Sequence, residues 1–485
     1  MAHGAPVLAA DGPAEGYRTR RVVRLASTAA LGGFLFGFDS AVINGANTAI
    51  AETFNLGSGL MAFVVSIALI GSAVGAWFAG QLADAFGRRR VMLIAAVLFG
   101  ISAVGTAFPP NVEILMVWRL IGGAGIGVAS VVAPMYIAEI SPAQLRGRMG
   151  SLQQLAIVLG ILATGISNYV IVSLAGSSTS DWLLGIEAWR WMFLVMLIPA
   201  TIYFLMALRI PESPRFLVER GKLDEARAVL ESVFTTDQSA KVLEIQTSME
   251  GANRSSLSDL RGPRFGLMPI VWIGILLSAF QQFVGINAVF YYSNLIWESV
   301  GFSQDQAFLT SMITNAVNVA TTLVAIALID RVGRKRLLLV GSSGMVVMLA
   351  TLTIIFGTAP QVPNGEGGME PSLVGTTSTI AVLAFNAYVV FFGMSWGPVV
   401  WVLLGEMFPN RIRAAALALA ASAQWIANFI VSSAFPPIAT RSLMVAYGIF
   451  TVFALASIFF VRAKVPETMG KSLEQISAES VKVPA

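Results

Sequence analysis

Twelve long apolar runs constrain this chain more than any other feature of its sequence. A run of about 18 or more apolar residues crosses a bilayer as a helix, because lipid offers backbone groups no partner outside that helix. In agreement, 56% of the 485 residues are hydrophobic and 12% are charged, against about 25% charged in soluble domains. The runs predict an all-α membrane protein with spans near residues 25–48, 62–83, 91–108, 113–136, 151–174, 189–209, 268–296, 306–329, 337–357, 378–403, 412–435 and 442–462.

Six runs precede and six follow a polar stretch, which divides the chain into two bundles. Lys and Arg are retained in cytoplasmic loops, and basic residues cluster in the N-terminus, the central stretch and the tail. We therefore expect a multi-pass protein of the cell (plasma) membrane with an uncleaved first helix and both termini in the cytoplasm. The predicted units are a disordered N-terminus at 1–24, an N-terminal six-helix bundle at 25–209, cytoplasmic linker helices at 210–265, a C-terminal six-helix bundle at 266–463 and a cytoplasmic tail at 464–485.

The histidine and cysteine content excludes several kinds of chemistry. The chain has no cysteine, and its single histidine, His3, lies in an Ala/Gly/Pro-rich leader. Thiolate and two-histidine metal sites and Ser-His-Asp nucleophiles are therefore excluded, and we predict no metal, no cofactor and no enzyme activity. The formal charge of +4 is typical of basic cytoplasmic loops, so we expect no nucleic-acid partner.

Internal repeats relate the two bundles. Three motifs occur twice in the chain, in the same order, and their two copies are 246 to 267 residues apart. The paired positions are Asp84-x-x-Gly87-Arg88 with Asp330-x-x-Gly333-Arg334, Glu139-x-x-Pro142 and Arg146 with Glu406-x-x-Pro409 and Arg413, and Pro211-Glu212 with Pro466-Glu467. Two homologous halves in parallel orientation are typical of transporters that bind their substrate between the repeats at mid-membrane.

The repeats belong to a larger set of motifs that covers the chain from the first span to the last. The set comprises Gly80-Gln-Leu-Ala-Asp84-x-x-Gly87-Arg-Arg-Arg90, Trp118-Arg119, Pro211-Glu-Ser-Pro-Arg215, Gln281-Gln282-x-x-Gly285-x-Asn287 with Tyr291-Tyr292, Asp330-Arg-Val-Gly-Arg-Lys335, Gly397-Pro398-x-x-Trp401 and Pro466-Glu-Thr-Met-Gly470. With these motifs the chain resembles the sugar porter family of the major facilitator superfamily, and within it the bacterial glucose permeases of actinobacterial type. Two positions depart from the pattern, Met469 in place of the usual Lys and Ile326 where the first half has Gly80.

The resemblance implies a major facilitator fold of twelve helices in two pseudo-symmetric bundles. It further implies import of a monosaccharide, with glucose expected, by proton symport and alternating access in the lipid bilayer. A monomer is the expected functional unit.

Neutral polar side chains inside several spans suit a sugar, which is a ring of hydroxyl groups with apolar faces. Side-chain amides both donate and accept hydrogen bonds, and an indole ring can stack on the sugar. The resemblance places nine such residues at the sugar, namely Gln154, Gln281, Gln282, Asn287, Tyr292, Asn318, Trp401, Gln424 and Trp425. The alternative is that intramembrane amides only join helices by hydrogen bonds.

Asp39 is an acid inside the first span, at the repeat position where the second half has Asn287. An isolated carboxylate in a membrane is costly when ionised, so it takes up a proton or pairs with a cation. Arg119, in the middle of the fourth span, is the available cation. The resemblance to proton-coupled sugar porters implies that Asp39 and Arg119 couple proton and sugar movement, and a static buried ion pair is the alternative.

Charged motif residues at the cytoplasmic ends of both halves are candidates for a gate. The set is Glu139, Arg146, Glu406, Arg413, Asp84, Arg88, Asp330 and Arg334. By pseudo-symmetry we predict two cross-bundle ion pairs that close the inner side, Glu139 with Arg413 and Glu406 with Arg146. Solvated helix-end charges are the alternative, and such pairs contribute only about 0 to 1 kcal/mol.

Two other functions fit the same motifs. A facilitative sugar uniporter would differ in needing no proton gradient for uptake. A membrane sugar sensor would be favoured by long cytoplasmic extensions, whereas the tail continues for about 20 residues beyond the last predicted span. A membrane enzyme is a third class, and the sequence offers it no metal or nucleophile set.

Overall fold

The computed structural model describes residues 16–249, 257–262, 265–292, 296–297, 300–302, 304–363, 369–409, 412–439 and 441–471. Seven helices form the first half: α1 (Thr19–Thr53), α2 (Ser58–Phe86), α3 (Arg88–Ala107), α4 (Val112–Ile140), α5 (Arg146–Ala175), α6 (Ala188–Leu194) and α7 (Leu197–Ala207). The central stretch contains α8 (Pro214–Glu219), α9 (Leu223–Val233) and α10 (Ser239–Met249). Short 3-10 turns lie at Leu183–Gly185 and Leu257–Leu260.

The second half repeats this layout. Its helices are α11 (Pro269–Phe283), α12 (Ile286–Tyr291), α13 (Gln304–Val332), α14 (Arg334–Thr358), α15 (Thr376–Gly393), α16 (Trp396–Glu406), α17 (Arg413–Ala439) and α18 (Leu443–Lys464). Between α14 and α15, strands β1 (Gln361–Pro363) and β2 (Met369–Pro371) pair antiparallel, with Gln361 opposite Pro371.

Twelve helical segments within the described residues are long and apolar enough to cross a membrane, which confirms the predicted number of spans. Three of these spans consist of two helices each, because α6 and α7, α11 and α12, and α15 and α16 follow each other with a short break. Irregular backbone inside a membrane is tolerated where it lies within protein or lines a cavity. We therefore expect the three breaks to lie inside the protein or beside a cavity.

The break in the seventh span depends on one glycine. Gly285 has φ +90°, a left-handed conformation that glycine adopts without steric cost. A Cβ atom at this position would also lie 2.4 Å from the ring of Phe450. The break sets the end of α11, with Gln281 and Gln282, against the start of α12, with Asn287.

The predicted start of the first bundle at residue 25, with disorder up to 24, is wrong for residues 16–24. Helix α1 begins at Thr19, because arginines in its first turns are exposed and the helix continues into water beyond the apolar run. Ahead of it, Tyr17 forms a β-bridge with Phe234, and Arg18 donates its backbone N–H to the carbonyl of Val233 at 2.7 Å. The residues directly ahead of α1 are thus bound to the end of α9. Residues 1–15 lie outside the described part.

Candidate functional site

A central cavity of about 50 Å³ lies between the two halves. Seven of the nine residues predicted at the sugar line it: Gln154 on α5, Gln281 and Gln282 on α11, Asn287 on α12, Asn318 on α13, Trp401 on α16 and Gln424 on α17. The structure therefore brings together amides from the fifth, seventh, eighth and eleventh spans. All the lining side chains described here are uncharged.

The amides of the seventh span form a hydrogen-bonded chain across the Gly285 break. The Nδ2 atom of Asn287 donates to Oε1 of Gln282 at 2.5 Å, and Nε2 of Gln282 donates to Oε1 of Gln281 at 3.3 Å. Gln281 in turn donates to the carbonyl of Trp396 at 3.0 Å, at the break between α15 and α16. The two broken spans of the second half are thus joined through the cavity wall.

Other amides of the cavity keep open acceptors. Gln154 accepts a hydrogen bond from Nε1 of Trp401 at 3.2 Å, which links the two halves. The side-chain oxygens of Asn318 and Gln424 are buried and have no hydrogen-bond partner among the described residues. A buried acceptor without a donor is unfavourable. These two atoms are therefore suited to accept hydrogen bonds from a polar ligand with hydroxyl donors.

Two of the nine predicted sugar residues lie elsewhere. Tyr292 donates its hydroxyl to the carbonyl of Ser432 at 2.9 Å and stacks on Phe435. Trp425 donates to Oγ of Ser130 at 3.2 Å, on the opposite half. Both side chains join helices beside the central cavity.

The cavity also has wall residues that the sequence reasoning missed. The polar and aromatic ones are Phe36, Ser40, Phe290, Tyr291 and Phe392. The hydroxyl of Tyr291 interacts with Ser40 on the opposite half and with Asn428. A signal for Tyr291 was available, because residues four apart share a helix face and Asn287 lies four positions before it.

Asp39 and Arg119 form a buried ion pair close to the cavity. Nη1 of Arg119 lies 3.3 Å from both carboxylate oxygens of Asp39, and each side chain is about 2% exposed. The Nε atom of Arg119 has no hydrogen-bond partner within the described part of the chain. Arg119 also borders a small cavity of about 30 Å³ together with Ser40 and Tyr291. The pair is therefore next to the residues that connect the two halves.

The predicted cross-bundle ion pairs Glu139–Arg413 and Glu406–Arg146 are wrong for this conformation. Each glutamate is bound within its own half: Glu139 pairs with Arg88 at 2.9 Å, and Glu406 pairs with Arg334 at 3.0 Å. The reason is position, since Arg88 and Arg334 begin α3 and α14 at the level where α4 and α16 end.

The two remaining gate arginines bind backbone. Arg146 donates to the carbonyls of Ala138 at 3.2 Å and Lys471 at 3.1 Å, and Arg413 donates to the carbonyl of Phe408 at 2.8 Å. The bond to Ala138 satisfies one of the last carbonyls of α4, and the bond to Phe408 fixes the segment that follows α16. The acidic gate residues of each half lie around one arginine. Asp84 is 3.5 Å from Arg88, which also binds Glu139, and Asp330 is 3.0 Å from Arg334, which also binds Glu406.

The Pro-Glu motifs complete an equivalent network in each half. Glu212 accepts the backbone N–H of Arg88 at 2.9 Å, and Glu467 accepts that of Arg334 at 3.1 Å, so each carboxylate covers a helix N-terminus. The next residue after each glutamate, Ser213 or Thr468, donates to Glu139 or Glu406. Burial raises the pKa of Glu212, while hydrogen bonds from Ser213 and Arg89 and the charge of Arg88 oppose the rise.

We call the side where α3, α5, α14 and α17 begin with arginine the basic side. There the halves are in contact, because Asp330 accepts the backbone N–H of Arg148 at 2.9 Å across the interface. The halves also meet where α2 packs on α17, since a Cβ at Gly80 would lie 2.4 Å from the carbonyl oxygen of Ala414. Ile326 takes the place of this glycine in the second half, where the contact is made by Asp330 instead. The basic side is therefore closed.

A larger cavity of about 300 Å³, which we call the outer cavity, lies farther from the basic side than the central cavity does. It is lined by the later parts of α1 and α5, the end of α12 and the early part of α13. Residues 161–172 of α5 are about 22 to 39 Å from the start of that helix at a rise of about 1.5 Å per residue. The molecule is thus closed on the basic side and hollow on the other.

Two pseudo-symmetric halves around a neutral polar cavity that is closed on one side define a membrane transporter. The family model described as "Sugar (and other) transporter" matches residues 25–479. The chain belongs to this family, the sugar porters of the major facilitator superfamily, and it is a sugar transporter and not an enzyme. The predicted family, fold class and general function are confirmed.

Individual relatives cover nearly the whole chain. It is 52% identical over 457 residues to the glucose transport protein of Synechocystis sp., covering 94% of this chain and 97% of the relative. It is 38% identical over 496 residues to the D-xylose-proton symporter of Escherichia coli, covering 95% and 96%.

Solved structures of one relative match the chain to different extents. The proton:xylose symporter XylE bound to 6-bromo-6-deoxy-D-glucose matches with a TM-score of 0.84 at 36% identity, covering 96% of this chain and 100% of that one. The inward open conformation of the E. coli xylose transporter XylE matches with a lower TM-score of 0.69, covering 94% and 99%. The present conformation therefore differs from the inward open one.

Proposed function

We propose that the protein imports a monosaccharide, with glucose as the expected substrate, by proton symport. The observation that carries the proposal is the buried Asp39–Arg119 pair beside a cavity of neutral amides contributed by both halves. Amides suit sugar hydroxyls, and an intramembrane acid with one cationic partner can exchange that partner for a proton. The glucose and D-xylose-proton transporters among the relatives support both parts of the proposal.

The proposal includes an orientation and a gate. The basic side faces the cytoplasm by the distribution of Lys and Arg, in a cell membrane and with both termini inside. The paired networks Asp84–Arg88–Glu139 and Asp330–Arg334–Glu406 then form the rigid cytoplasmic ends of the halves. The contact of Arg148 with Asp330 holds these ends together while the opposite side is hollow. The protein acts as a monomer in this scheme.

Uptake into proteoliposomes tests the function. Purified protein should accumulate labelled glucose when an inward proton gradient is imposed, and a panel of hexoses and pentoses should define the substrate. A protein that equilibrates glucose but never concentrates it, whatever the gradient, is a uniporter and contradicts the symport. Failure to transport any sugar of the panel contradicts the substrate class.

Gln282→Ala should weaken sugar binding by roughly tenfold or more. Gln282 lies at the centre of the amide chain, and a lost hydrogen bond that leaves its partner unpaired costs about 1 to 3 kcal/mol, where 1.4 kcal/mol is about tenfold in affinity. Gln153→Ala is the matched control, because its amide packs against α1 at Gly33 and does not line the cavity. Calorimetry or tryptophan fluorescence titration measures both. Equal affinity of the Gln282→Ala and wild-type proteins would remove this residue from the site.

A further inference from the structure

The outer cavity of about 300 Å³ is not used by the sugar site described above. Both halves contribute to it, and the polar residues described in its lining are Ser40, Asn44, Asn168, Tyr169, Tyr291, Ser311 and Asn315. Its size falls at the lower end of the range of small-molecule sites, about 300 to 1,000 Å³. Its volume is therefore sufficient for it to bind a small molecule and not only to let one pass.

The chemistry of the lining is that of the central cavity. Among the described residues that border it, none carries a charge, and apolar and aromatic side chains such as Phe290 alternate with the amides and hydroxyls. Such a surface offers donors and acceptors to hydroxyl groups and apolar contact to a ring face, but no counter-ion. The ligand class that fits is an uncharged polyol such as a monosaccharide.

Asn168 supplies an independent indication. The residue is 9% exposed, and its Nδ2 donates to the carbonyl of Val42 on α1 at 3.3 Å. Its Oδ1 is buried without a hydrogen-bond partner in the part of the chain that the structure describes. A buried acceptor of this kind is unfavourable until a donor reaches it. A hydroxyl group bound in the cavity is such a donor.

A thin wall separates the outer from the central cavity. Ser40, Ile161, Phe290 and Tyr291 border both, and the Tyr291 hydroxyl interacts with Ser40 across the two halves. The central cavity of about 50 Å³ is of the order of one or two water molecules at about 30 Å³ each. A sugar arriving from the hollow side therefore meets the outer cavity first, and the wall has to move before it goes further.

We propose that the outer cavity is a second monosaccharide subsite, occupied before the wall at Tyr291 opens. This inference rests on the proposed sugar transport. It assigns to Asn168, Asn44 and Asn315 the recognition of hydroxyl groups at a position distinct from Gln281, Gln282 and Asn287. The two subsites differ in which variants abolish them.

Thiol protection tests the proposal, because the chain has no cysteine and a single introduced thiol is the only reactive one. Met312 borders the outer cavity, is 40% exposed and belongs to none of the amide groups. In lipid nanodiscs, D-glucose should slow the reaction of Met312→Cys protein with a maleimide by at least twofold. The slowing should persist in the protein that carries Gln281→Ala and Gln282→Ala in addition to Met312→Cys. It should disappear in the protein that also carries Asn168→Ala.

Controls separate this subsite from other effects. Leu184→Cys, at an 87% exposed loop position outside the cavity, should react at the same rate with and without glucose. Betaine at the same concentration, which has no hydroxyl group, should not protect Met312→Cys. An unchanged reaction rate without sugar and a single size-exclusion peak show that each variant is folded, and Gln282→Ala alone replaces the double variant if that fails.

The decisive contrary result is loss of protection on adding Gln281→Ala and Gln282→Ala to folded Met312→Cys protein, which would mean that only the central site binds sugar. Failure of the proposed function has a different signature. In that case glucose neither protects Met312→Cys with an intact central site nor enters proteoliposomes, and both proposals fall.

Discussion

Asp39→Asn protein should exchange sugar passively at close to the wild-type rate but lose accumulation driven by a proton gradient. The amide has the size of the protonated acid and no charge, so Arg119 loses its only charged partner among the described residues and the two charge states of the pair are reduced to one. A ligand shifts a conformational equilibrium only through a difference in its interaction with the two states. Without a titrating group at this position, no proton binds there, and proton binding can no longer favour one conformation over the other.

Counterflow and gradient-driven uptake in proteoliposomes measure the two activities separately. Glu187→Gln is the matched control, since this acid pairs with Arg190 at 2.7 Å in the loop before α6 and its replacement changes the same charge far from the cavity. Accumulation should be intact there. If Asn at position 39 still allowed sugar to be concentrated with the same proton dependence, the pair would be a static ion pair.

Arg334→Leu should lower the free energy of unfolding by about 3 to 5 kcal/mol, the usual cost of removing one partner of a buried ion pair. Arg334 is 1% exposed and holds Glu406 through two hydrogen bonds, at 3.0 and 3.3 Å, and Asp330 at 3.0 Å. Its loss leaves the Glu406 carboxylate buried with Thr468 as its remaining side-chain donor among the described residues. The reversible unfolding equilibrium in detergent measures the change.

Arg336→Leu serves as the control, because this arginine is exposed two residues further along the same helix. The double variant Arg334→Leu, Glu406→Leu should recover part of the loss, since no charge is then left unpaired at position 406. Equal stability of the Arg334→Leu and Arg336→Leu proteins would show that the network is solvated. An additive double variant would show that the two side chains do not interact.

Hydropathy was sufficient for the number of spans, because a bilayer requires each crossing to satisfy its own backbone. It could not locate the breaks inside them. The run at 268–296 is continuous in the sequence, yet the helix ends at Phe283 and restarts at Ile286. What divides it is the backbone conformation of Gly285 and the ring of Phe450 beside it, a contact between residues far apart in the chain.

Tyr292 and Trp425 do not line the central cavity, and each is adjacent to a residue that does. Neighbours on a helix point about 100° apart, so a cavity can be bordered by both members of a pair, as by Gln281 and Gln282, or by one member only. Gln424 borders the cavity while Trp425 turns to Ser130, and Tyr291 borders it while Tyr292 turns to Ser432. Residue type identifies the pair as polar or aromatic, but only the packing of the helix decides which member faces inward.

The ion pairs show a different limit. The repeats correctly relate Glu139 to Glu406 and Arg88 to Arg334 as equivalent positions, and the same pseudo-symmetry admits pairing within a half or between halves. Pairing within a half and pairing between halves both place a glutamate next to an arginine at the same depth in the membrane. The structure uses pairing within the half, because the turn before α3 or α14 places the arginine directly beside the glutamate.

The bridge between Tyr17 and Phe234 has a mechanical consequence. Helices α8 and α9 are held at one end by the covalent connection from α7 and at the other by backbone bonds to the residues ahead of α1. They are carried with the first half whenever the halves rock against each other. Although the sequence is duplicated, the first half therefore moves together with two additional helices, α8 and α9, which the second half has no equivalent of among the described residues.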